Sequence, residues 1–188
     1  MVILRCLLLT TFGTLAACAG PMPTPSVASG SPPLAGARVA QAVAIMAPAS
    51  GSLVSGRLIL TPEGDGVRIR GDIGGLAPDS VHGFHVHEKG DCSAADASSA
   101  GGHFNPAGQP HGRAGHGAHH AGDIDNLIAD RNGVAHVDVH VAGVSLGGGE
   151  ANDVLGRALI VHAVPDDYAS QPAGNAGARI ACGVIRQP

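Results

Sequence analysis

Residues 66–74 read GVRIRGDIG, and apolar and charged residues alternate along this stretch. Val67, Ile69 and Ile73 occupy one phase of the alternation, whereas Arg68 and Arg70 occupy the other. Because successive side chains of a β-strand point to opposite faces of the sheet, the pattern predicts a strand with one buried and one solvated face. Strands of this kind are typical of antiparallel sheets.

Other short segments repeat the alternation, and no run with the 3.6-residue period of a helix competes with them. Turn residues such as those at 64–66 and 132–133 separate the segments. The sequence therefore predicts an all-β fold, a Greek-key β-sandwich or flattened barrel of about eight antiparallel strands. The predicted strands begin near Val39, Ser55, Gly66, His82, Val137, Gly156 and Arg179.

The composition fits one globular domain with an aliphatic core. The 188 residues are 44% hydrophobic but only 2% aromatic, and they include 29 glycines, 13 prolines and no tryptophan. Aliphatic side chains must therefore supply the core, and the abundance of turn residues disfavours long helices. The formal net charge is −4 and no run of Lys or Arg is present, so nothing indicates a nucleic-acid partner.

The first 17 residues, MVILRCLLLTTFGTLAA, have the pattern of a secretory signal peptide. One positive charge, Arg5, precedes an apolar stretch that is too short to span a bilayer. Residues 15–18 read LAAC, which resembles the lipobox of bacterial lipoproteins and predicts a lipidated Cys18 at the mature N-terminus. A plain signal peptidase site nearby, with Cys18 incidental or removed, is the alternative.

Residues 18–37 consist mainly of Ala, Gly, Pro and Ser and carry no charge, so they are expected to form a flexible, partly extended tether. The folded domain is then expected over residues 38–188. Attached through the lipid, it would lie at a membrane surface that faces the periplasm. No other membrane attachment is expected.

Two of the four cysteines lie in the expected domain, because Cys6 leaves with the signal peptide and Cys18 would carry the lipid. In an exported protein the remaining pair, Cys92 and Cys182, suggests one disulfide, with free thiols as the alternative. A bridge that closes so long a loop contributes up to roughly 4 to 5 kcal/mol in the chain-entropy model.

Histidine is the compositional oddity, with 11 residues against a single tyrosine. In residues 83–93, GFHVHEKGDCS, His85 and His87 leave the same face of a predicted strand, with Cα atoms about 6 to 7 Å apart. Two imidazoles so placed can bind one ion, although such a pair alone more often marks a solvated strand face.

Residues 89–130 do not fit the strand pattern, and a polar connection of this length in a compact domain is usually functional. Imidazole suits copper and zinc, and three histidines with one carboxylate satisfy a tetrahedral zinc site. A histidine-rich tract without structure is the alternative. His162, in the apolar segment LIVH, also needs a partner, because an unpaired buried imidazole is costly. The candidate ligands in the loop are His103, His111, His116, His119, His120 and Asp123.

Six motifs, in the same order along the chain, resemble the copper/zinc superoxide dismutase family and in particular its bacterial exported members. They are HGFHVHEKGDCS, GGHFNP, the loop ending HAGD, the NGV turn, GRALIVHAVPDD and GNAGARIACGVI. The resemblance implies an oxidoreductase that converts superoxide to dioxygen and hydrogen peroxide, with copper and zinc as cofactors. It also implies a barrel with two long loops that form the metal site, in agreement with the strand count.

The resemblance assigns the metal ligands position by position. His120 is preferred to His119 as a ligand because the family pattern is a histidine, one further residue and then Gly-Asp. His103 is expected to bridge the two metals and to take a proton during turnover. The implied copper ligands are His85, His87, His103 and His162, and the implied zinc ligands are His103, His111, His120 and Asp123.

The remaining histidines are not assigned as metal ligands. His116 and His119 are interpreted as solvated loop residues, with an extra surface metal site as the alternative. His136 and His140 share a polar strand face and are expected to face solvent, whereas His82 matches a family position that packs near the site.

Three supporting roles follow from the same resemblance. Asp166 matches an aspartate that hydrogen-bonds one copper histidine and one zinc histidine. Cys92 and Cys182 match the family disulfide. Arg179 matches the arginine beside copper that attracts and positions the anion, with a surface salt bridge as its alternative role.

One segment departs from many animal members of the family. Residues 168–178, YASQPAGNAGA, carry no charge where those relatives have a longer, charged loop. Anion attraction is then expected to rest on Arg179, the metals and Lys89. A non-catalytic copper carrier and a copper-only enzyme are the alternatives, but every implied ligand and the arginine are present. The sequence leaves open whether the protein is a monomer or a homodimer.

Overall fold

The structure is a computed structural model, and it describes residues 39–188. The predicted signal peptide of residues 1–17, Cys18 and the whole predicted tether therefore lie outside the described residues. Eight β-strands and one 3₁₀ turn make up the regular structure of the described part. The strands are β1 (Ala42–Pro48), β2 (Ser55–Glu63), β3 (Gly66–Gly74), β4 (Val81–His87), β5 (Asp123–Ile128), β6 (Ala135–Ala142), β7 (Ala158–His162) and β8 (Arg179–Arg186), and the turn is Ser98–Ala100.

All strand pairs are antiparallel, and the eight strands form one sheet in the order β5-β4-β7-β8-β1-β2-β3-β6. The chain leaves the β1-β2-β3 meander for β4, which lies elsewhere in the sheet, and later returns to place β6 beside β3. This path is the Greek-key connection that the strand pattern predicts. The all-β prediction is confirmed.

The alternation in residues 66–74 separates core from surface as predicted. Val67, Ile69 and Ile73 are buried in the main core, whereas Arg70 is exposed and Arg68 is partly exposed. Arg68 and Arg70 both contact the Asp138 carboxylate of β6 on the solvated face. Exposed ion pairs of this kind contribute little stability, so the buried face determines the register of β3.

One strand was missed by the sequence pattern. Residues 89–130 were expected to lack strands, but Asp123–Ile128 form β5, which pairs with β4. The segment is only six residues long, and its alternation is interrupted by Asn126 and by the exposed Ile128. Pairing with β4 therefore stabilises a strand whose own pattern is weak.

Two strands that carry the predicted site residues are buried on both faces. In β4, Phe84 and Val86 enter the main core, while His85 and His87 lie on the opposite face and are also buried. All five residues of β7 are buried, because β7 lies between β4 and β8 and is covered by loops. Within residues 39–188, no helix has the length and apolar character needed to cross a membrane.

Candidate metal centre

Two groups of potential metal ligands lie next to each other and share one residue. In each group, one ligand atom from every member lies within 4.8 Å of those of the others, and all the members are buried. The first group is His85, His87, His103 and His162, and the second is His103, His111, His120 and Asp123. These are the two ligand sets implied by the sequence, and the shared residue is the predicted bridging histidine.

The first group is assembled by two neighbouring strands, β4 and β7, and by the loop that follows β4. His85 and His87 come from β4, and His162 ends β7, which pairs with β4. His103 reaches the group through a β-bridge with His87. Its ring centroid lies 4.0 Å from that of His85, and the Nε2 atoms of His87 and His162 are 3.4 Å apart.

Protein oxygens orient three of these rings. His87 Nδ1 lies 2.9 Å from the Gly101 carbonyl, His162 Nδ1 lies 3.2 Å from the Gly177 carbonyl, and His85 Nε2 lies 2.7 Å from Asp166 Oδ2. Because each of these nitrogens donates its proton outward, the other nitrogen of each ring keeps a free lone pair that faces the group.

Within residues 39–188, two buried ring nitrogens have no hydrogen-bond partner, namely His85 Nδ1 and His103 Nε2. Buried polar atoms are nearly always paired, so an orphaned pair at the centre of four imidazoles indicates a missing ligand. Four nitrogen donors suit copper. The residues present therefore fit a copper ion on this side of the centre.

Burial keeps three of these imidazoles, those of His85, His87 and His162, neutral. It lowers the pKa of His85 to about 4, although the contact with Asp166 acts in the opposite direction. Burial likewise lowers the pKa of His162 to about 3 and holds the pKa of His87 well below its usual value. Metal binding requires the unprotonated ring, so His85, His87 and His162 are in the competent form at neutral pH.

The second group closes around one carboxylate oxygen. Asp123 Oδ1 lies 2.8 Å from His103 Nδ1, 3.1 Å from His111 Nδ1 and 3.2 Å from His120 Nδ1. His103 Nδ1 and His120 Nδ1 are 3.4 Å apart. Ligands about 2.0 to 2.1 Å from a tetrahedral zinc ion would be separated by about 3.3 Å, so the residues present fit zinc.

Backbone groups of the loop hold Asp123 in its ionised form. Its Oδ2 accepts hydrogen bonds from the backbone amides of His120 at 2.8 Å and Gly112 at 3.2 Å. Burial would raise the pKa of Asp123, but the His103 ring and these two amides outweigh that effect and lower it. The carboxylate is thus charged and oriented without help from a cation.

Asp166 links the two groups, because its carboxylate contacts one histidine of each. Its Oδ2 contacts His85 Nε2, and its Oδ1 lies 3.0 Å from His111 Nε2. The side chain is completely buried. Gly174, with a φ of +65°, leaves room for this arrangement, because a Cβ at that position would collide with Asp166 Oδ1 and approach His111 Nε2. The structure thus places Asp166 between one histidine of each set, as expected.

Arg179 begins β8 opposite His162 and reaches across the first group. It donates one hydrogen bond to the Ala97 carbonyl at 2.7 Å and another to the Gly101 carbonyl at 2.6 Å. The Gly101 carbonyl also accepts the His87 hydrogen bond, so one peptide positions both the arginine and a histidine. Arg179 forms no salt bridge among the described residues. Burial lowers the pKa of its guanidinium, but arginine stays charged at neutral pH.

The disulfide is present. Cys92 and Cys182 are bonded, with Cα atoms 5.8 Å apart and 90 positions apart in the sequence. The bond lies in a second apolar cluster, where Ala97 and Ala100 of the loop pack on Ala158 and Ile160 of β7. The loop that carries the Ala97 and Gly101 carbonyls is thereby fastened to the barrel.

The remaining histidines are placed elsewhere. His119 is engaged at both ring nitrogens, by the Gly115 amide and the His120 carbonyl, which argues against its use as a ligand. His116, His136 and His140 are exposed, as expected for solvated residues. His82 is buried near the site, with Nδ1 2.8 Å from the His162 carbonyl.

Sequence reasoning missed two carboxamides that position the centre. The Asn126 side chain accepts a hydrogen bond from the Asp166 amide at 2.8 Å and donates one to the Asp166 carbonyl at 2.9 Å. The Gln171 side chain makes the same pair of bonds with His111, both at 2.9 Å. Asn126 lies in the strand that was missed, and neither residue belongs to a ligand pattern.

Comparison with known proteins agrees with this geometry. The family model for copper/zinc superoxide dismutase matches residues 54–185. Superoxide dismutase [Cu-Zn] 2 of Aquifex aeolicus is 46% identical over 136 residues, which cover 71% of this chain and 80% of the relative. Superoxide dismutase [Cu-Zn] 1 of the same organism is 42% identical over 134 residues, which cover 70% of this chain and 79% of the relative.

Solved structures show the same fold. The clock protein EA4 aligns with a TM-score of 0.70 at 36% identity, covering 79% of this chain and 95% of that protein. A superoxide-dismutase-like protein from Bacillus subtilis aligns with a TM-score of 0.69 at 36% identity, covering 75% of this chain and 95% of that protein. Since the family model spans most of the chain and the Aquifex relatives match it closely, the protein belongs to the copper/zinc superoxide dismutase family.

Proposed function

We propose that this superoxide dismutase uses two adjacent metal ions and acts in the bacterial cell envelope. His85, His87, His103 and His162 would hold copper, and His103, His111, His120 and Asp123 would hold zinc. The observation that carries this proposal is the pair of buried ligand groups that share His103. The domain would comprise residues 38–188.

When bound, copper supplies the one-electron redox chemistry that turns one superoxide into dioxygen and a second into hydrogen peroxide, whereas zinc undergoes no redox change. The chain contributes imidazoles whose orientation is fixed by hydrogen bonds to protein oxygens. His103 Nε2, which is buried and has no hydrogen-bond partner in the part of the chain that the structure describes, can hold a proton and deliver it to the reduced oxygen.

Arg179 would draw the anionic substrate to the copper side and orient it. Its guanidinium is fixed by two carbonyls, so its remaining N–H groups are directed without further loss of side-chain entropy. Residues 168–178 carry no charge, and Lys89 is exposed in the loop that follows β4. Lys89 would add long-range attraction, which is the kind of steering for which superoxide dismutase is a standard example.

Asp166 would keep the two sites in register. Because it contacts His85 of β4 and His111 of the following loop, it links the strand that carries copper ligands to the loop that carries zinc ligands. Zinc would therefore have a structural role, which is to keep the copper ligands in position, and would take no part in the redox reaction.

The activity is tested on purified protein loaded with one copper and one zinc per chain, by following superoxide decay. His162→Ala should abolish fast turnover, whereas the exposed His136→Ala should leave it unchanged. A folded, fully loaded protein without activity would contradict the proposal and indicate a copper-binding relative.

The envelope location rests on the signal-like residues 1–17, the LAAC motif and the uncharged tether. The expected result is that the protein sediments with membranes and that Cys18→Ser moves it to the soluble fraction. A Cys18→Ser variant that still sediments would contradict lipidation at this residue.

A further inference from the structure

His111 belongs to the zinc-side group but lies in a loop with little regular structure. Among the residues that the structure describes, no backbone group bonds its amide or its carbonyl. Both groups are instead paired with one side chain, that of Gln171. The two residues are 60 positions apart in the sequence, so the contact joins two separate loops.

The two bonds fix the His111 peptide in both directions. Gln171 Oε1 accepts the hydrogen bond of the His111 amide at 2.9 Å, and Gln171 Nε2 donates to the His111 carbonyl at 2.9 Å. A carboxamide that spans both groups of one residue acts like a short piece of β-ladder. Rotation of the peptide would break both bonds, so the Cα–Cβ direction of His111 is set.

That direction places both ring nitrogens of His111. Nδ1 lies 3.1 Å from Asp123 Oδ1 within the zinc-side group, and Nε2 lies 3.0 Å from Asp166 Oδ1. The other two histidines of the group have different anchors. His103 is held by its β-bridge to β4, and His120 lies three residues before β5.

The segment that carries Gln171 is itself ordered by local hydrogen bonds. The Asp167 carboxylate accepts bonds from the Ala169 and Ser170 amides at 2.9 Å and 2.8 Å. The Gly174 amide donates to the Ser170 carbonyl at 2.7 Å, and Asn126 clamps the adjoining Asp166. Gln171 therefore lies in a turn whose backbone is held by hydrogen bonds within the protein.

We propose that Gln171 is a positioning residue for the zinc site, which acts by holding the backbone of His111. The inference rests on the proposed role of His111 as a zinc ligand. Groups that orient metal ligands typically change metal affinity by 10- to 100-fold when they are removed. Since Gln171 acts on one ligand of four and only through its backbone, we expect the lower end of that range.

The test measures binding of Zn²⁺ and Cu²⁺ to the metal-free full-length protein by competition with chelators of known affinity. Gln171→Ala should weaken Zn²⁺ binding by about tenfold and change Cu²⁺ binding by less than about twofold. Gln171→Leu, which keeps the bulk of the side chain but cannot form either bond, should show the same loss. Co²⁺ bound in place of zinc should have an altered visible spectrum in both variants, because the ligand geometry changes.

Gln109→Ala is the matched control. Gln109 lies in the same loop two residues before His111 and is exposed. Among residues 39–188, its side chain makes only a long hydrogen bond of 3.5 Å to the Ala107 carbonyl. This variant should bind Zn²⁺ like the parent protein. If Gln171→Leu also binds like the parent, the hydrogen bonds are unimportant and the inference is wrong.

His111→Ala separates this inference from the function on which it rests. If His111→Ala abolishes tight Zn²⁺ binding while both Gln171 variants bind normally, His111 is a ligand and only the role of Gln171 is refuted. If His111→Ala itself leaves Zn²⁺ binding unchanged, the zinc assignment under the proposed function is refuted.

Discussion

Hydrogen bonds to protein oxygens and burial together determine which ring nitrogen carries the proton in three histidines of the centre. His87, His162 and His85 each contact a protein oxygen through one ring nitrogen, which leaves the opposite nitrogen free. Burial lowers the pKa of each ring, so the lone pairs are available at neutral pH. Contacts within the protein therefore fix the orientation of these three rings and direct their free nitrogens toward the group.

The charge of the Arg179 side chain is expected to attract the anionic substrate. Arg179→Ala should lower the rate of superoxide decay by about tenfold at low ionic strength and reduce the decline of the rate with added salt, as expected for loss of the steering that superoxide dismutases typify. The measurement is the rate as a function of salt concentration, with copper content determined for each variant.

Two further variants distinguish charge from loop support. Arg179→Lys keeps the charge but lacks the planar fork that donates from two separate nitrogens to the Ala97 and Gly101 carbonyls, so it should retain part of the rate and its salt dependence. Lys89→Gln should lower the rate at low salt only slightly. If the rate of Arg179→Ala depends on salt as that of the parent protein does, Arg179 does not contribute to attraction of the substrate.

Among the elements, β4 and β7 connect the core to the site. Each has one face in the main core and the other face under the loops, so the histidines inherit the rigidity of the barrel. The loop between β4 and β5 lacks this support over much of its length. It is fastened instead by the disulfide, by Asp123 and by Gln171.

Removing the disulfide should show how much it contributes to the free energy of unfolding. The paired substitution Cys92→Ser with Cys182→Ser opens a loop of 90 positions, and the expected loss is up to roughly 4 to 5 kcal/mol of unfolding free energy. Denaturant titration of the metal-free protein measures the loss. Reduction of the parent protein should shift its midpoint by a similar amount, and equal midpoints in all three samples would contradict the prediction.

At the scale of the whole molecule, the buried histidines make the stability of the metal-free protein depend on pH. The pKa of His85 is about 4 and that of His162 about 3 in the folded state, against about 6.5 in an unfolded chain. The unfolded chain thus binds more protons below pH 6.5. Stability should be complete above about pH 6.5 and should fall progressively toward pH 4.

Urea unfolding of the metal-free protein between pH 4 and 8 checks this expectation. His136→Gln, which removes an exposed histidine, should keep the same pH profile. A stability that is constant from pH 8 to pH 4 would contradict the burial argument.

Much of the fold could be predicted from the sequence, because apolar alternation in segments such as residues 66–74 directly reports which side chains must leave water. The strand β5 could not, since its pairing with β4 depends on residues distant in sequence. The ligand candidates were recognisable because imidazoles and a carboxylate at motif spacing are chemically unusual. The carboxamides of Asn126 and Gln171 carried no such signal, because polar side chains of their kind are common in loops.

The sequence by itself determined the all-β class, the inventory of metal-binding side chains and the pair of cysteines available for a disulfide. The family resemblance implied the shared His103 and the double contact of Asp166, and the tertiary structure brings these side chains together. Only the tertiary structure decided that Asn126 holds Asp166 and that Gln171 holds His111 across 60 positions. The physical reason is that side-chain chemistry and alternation are local properties. The distances between loops are set instead by the packing of the barrel that carries them.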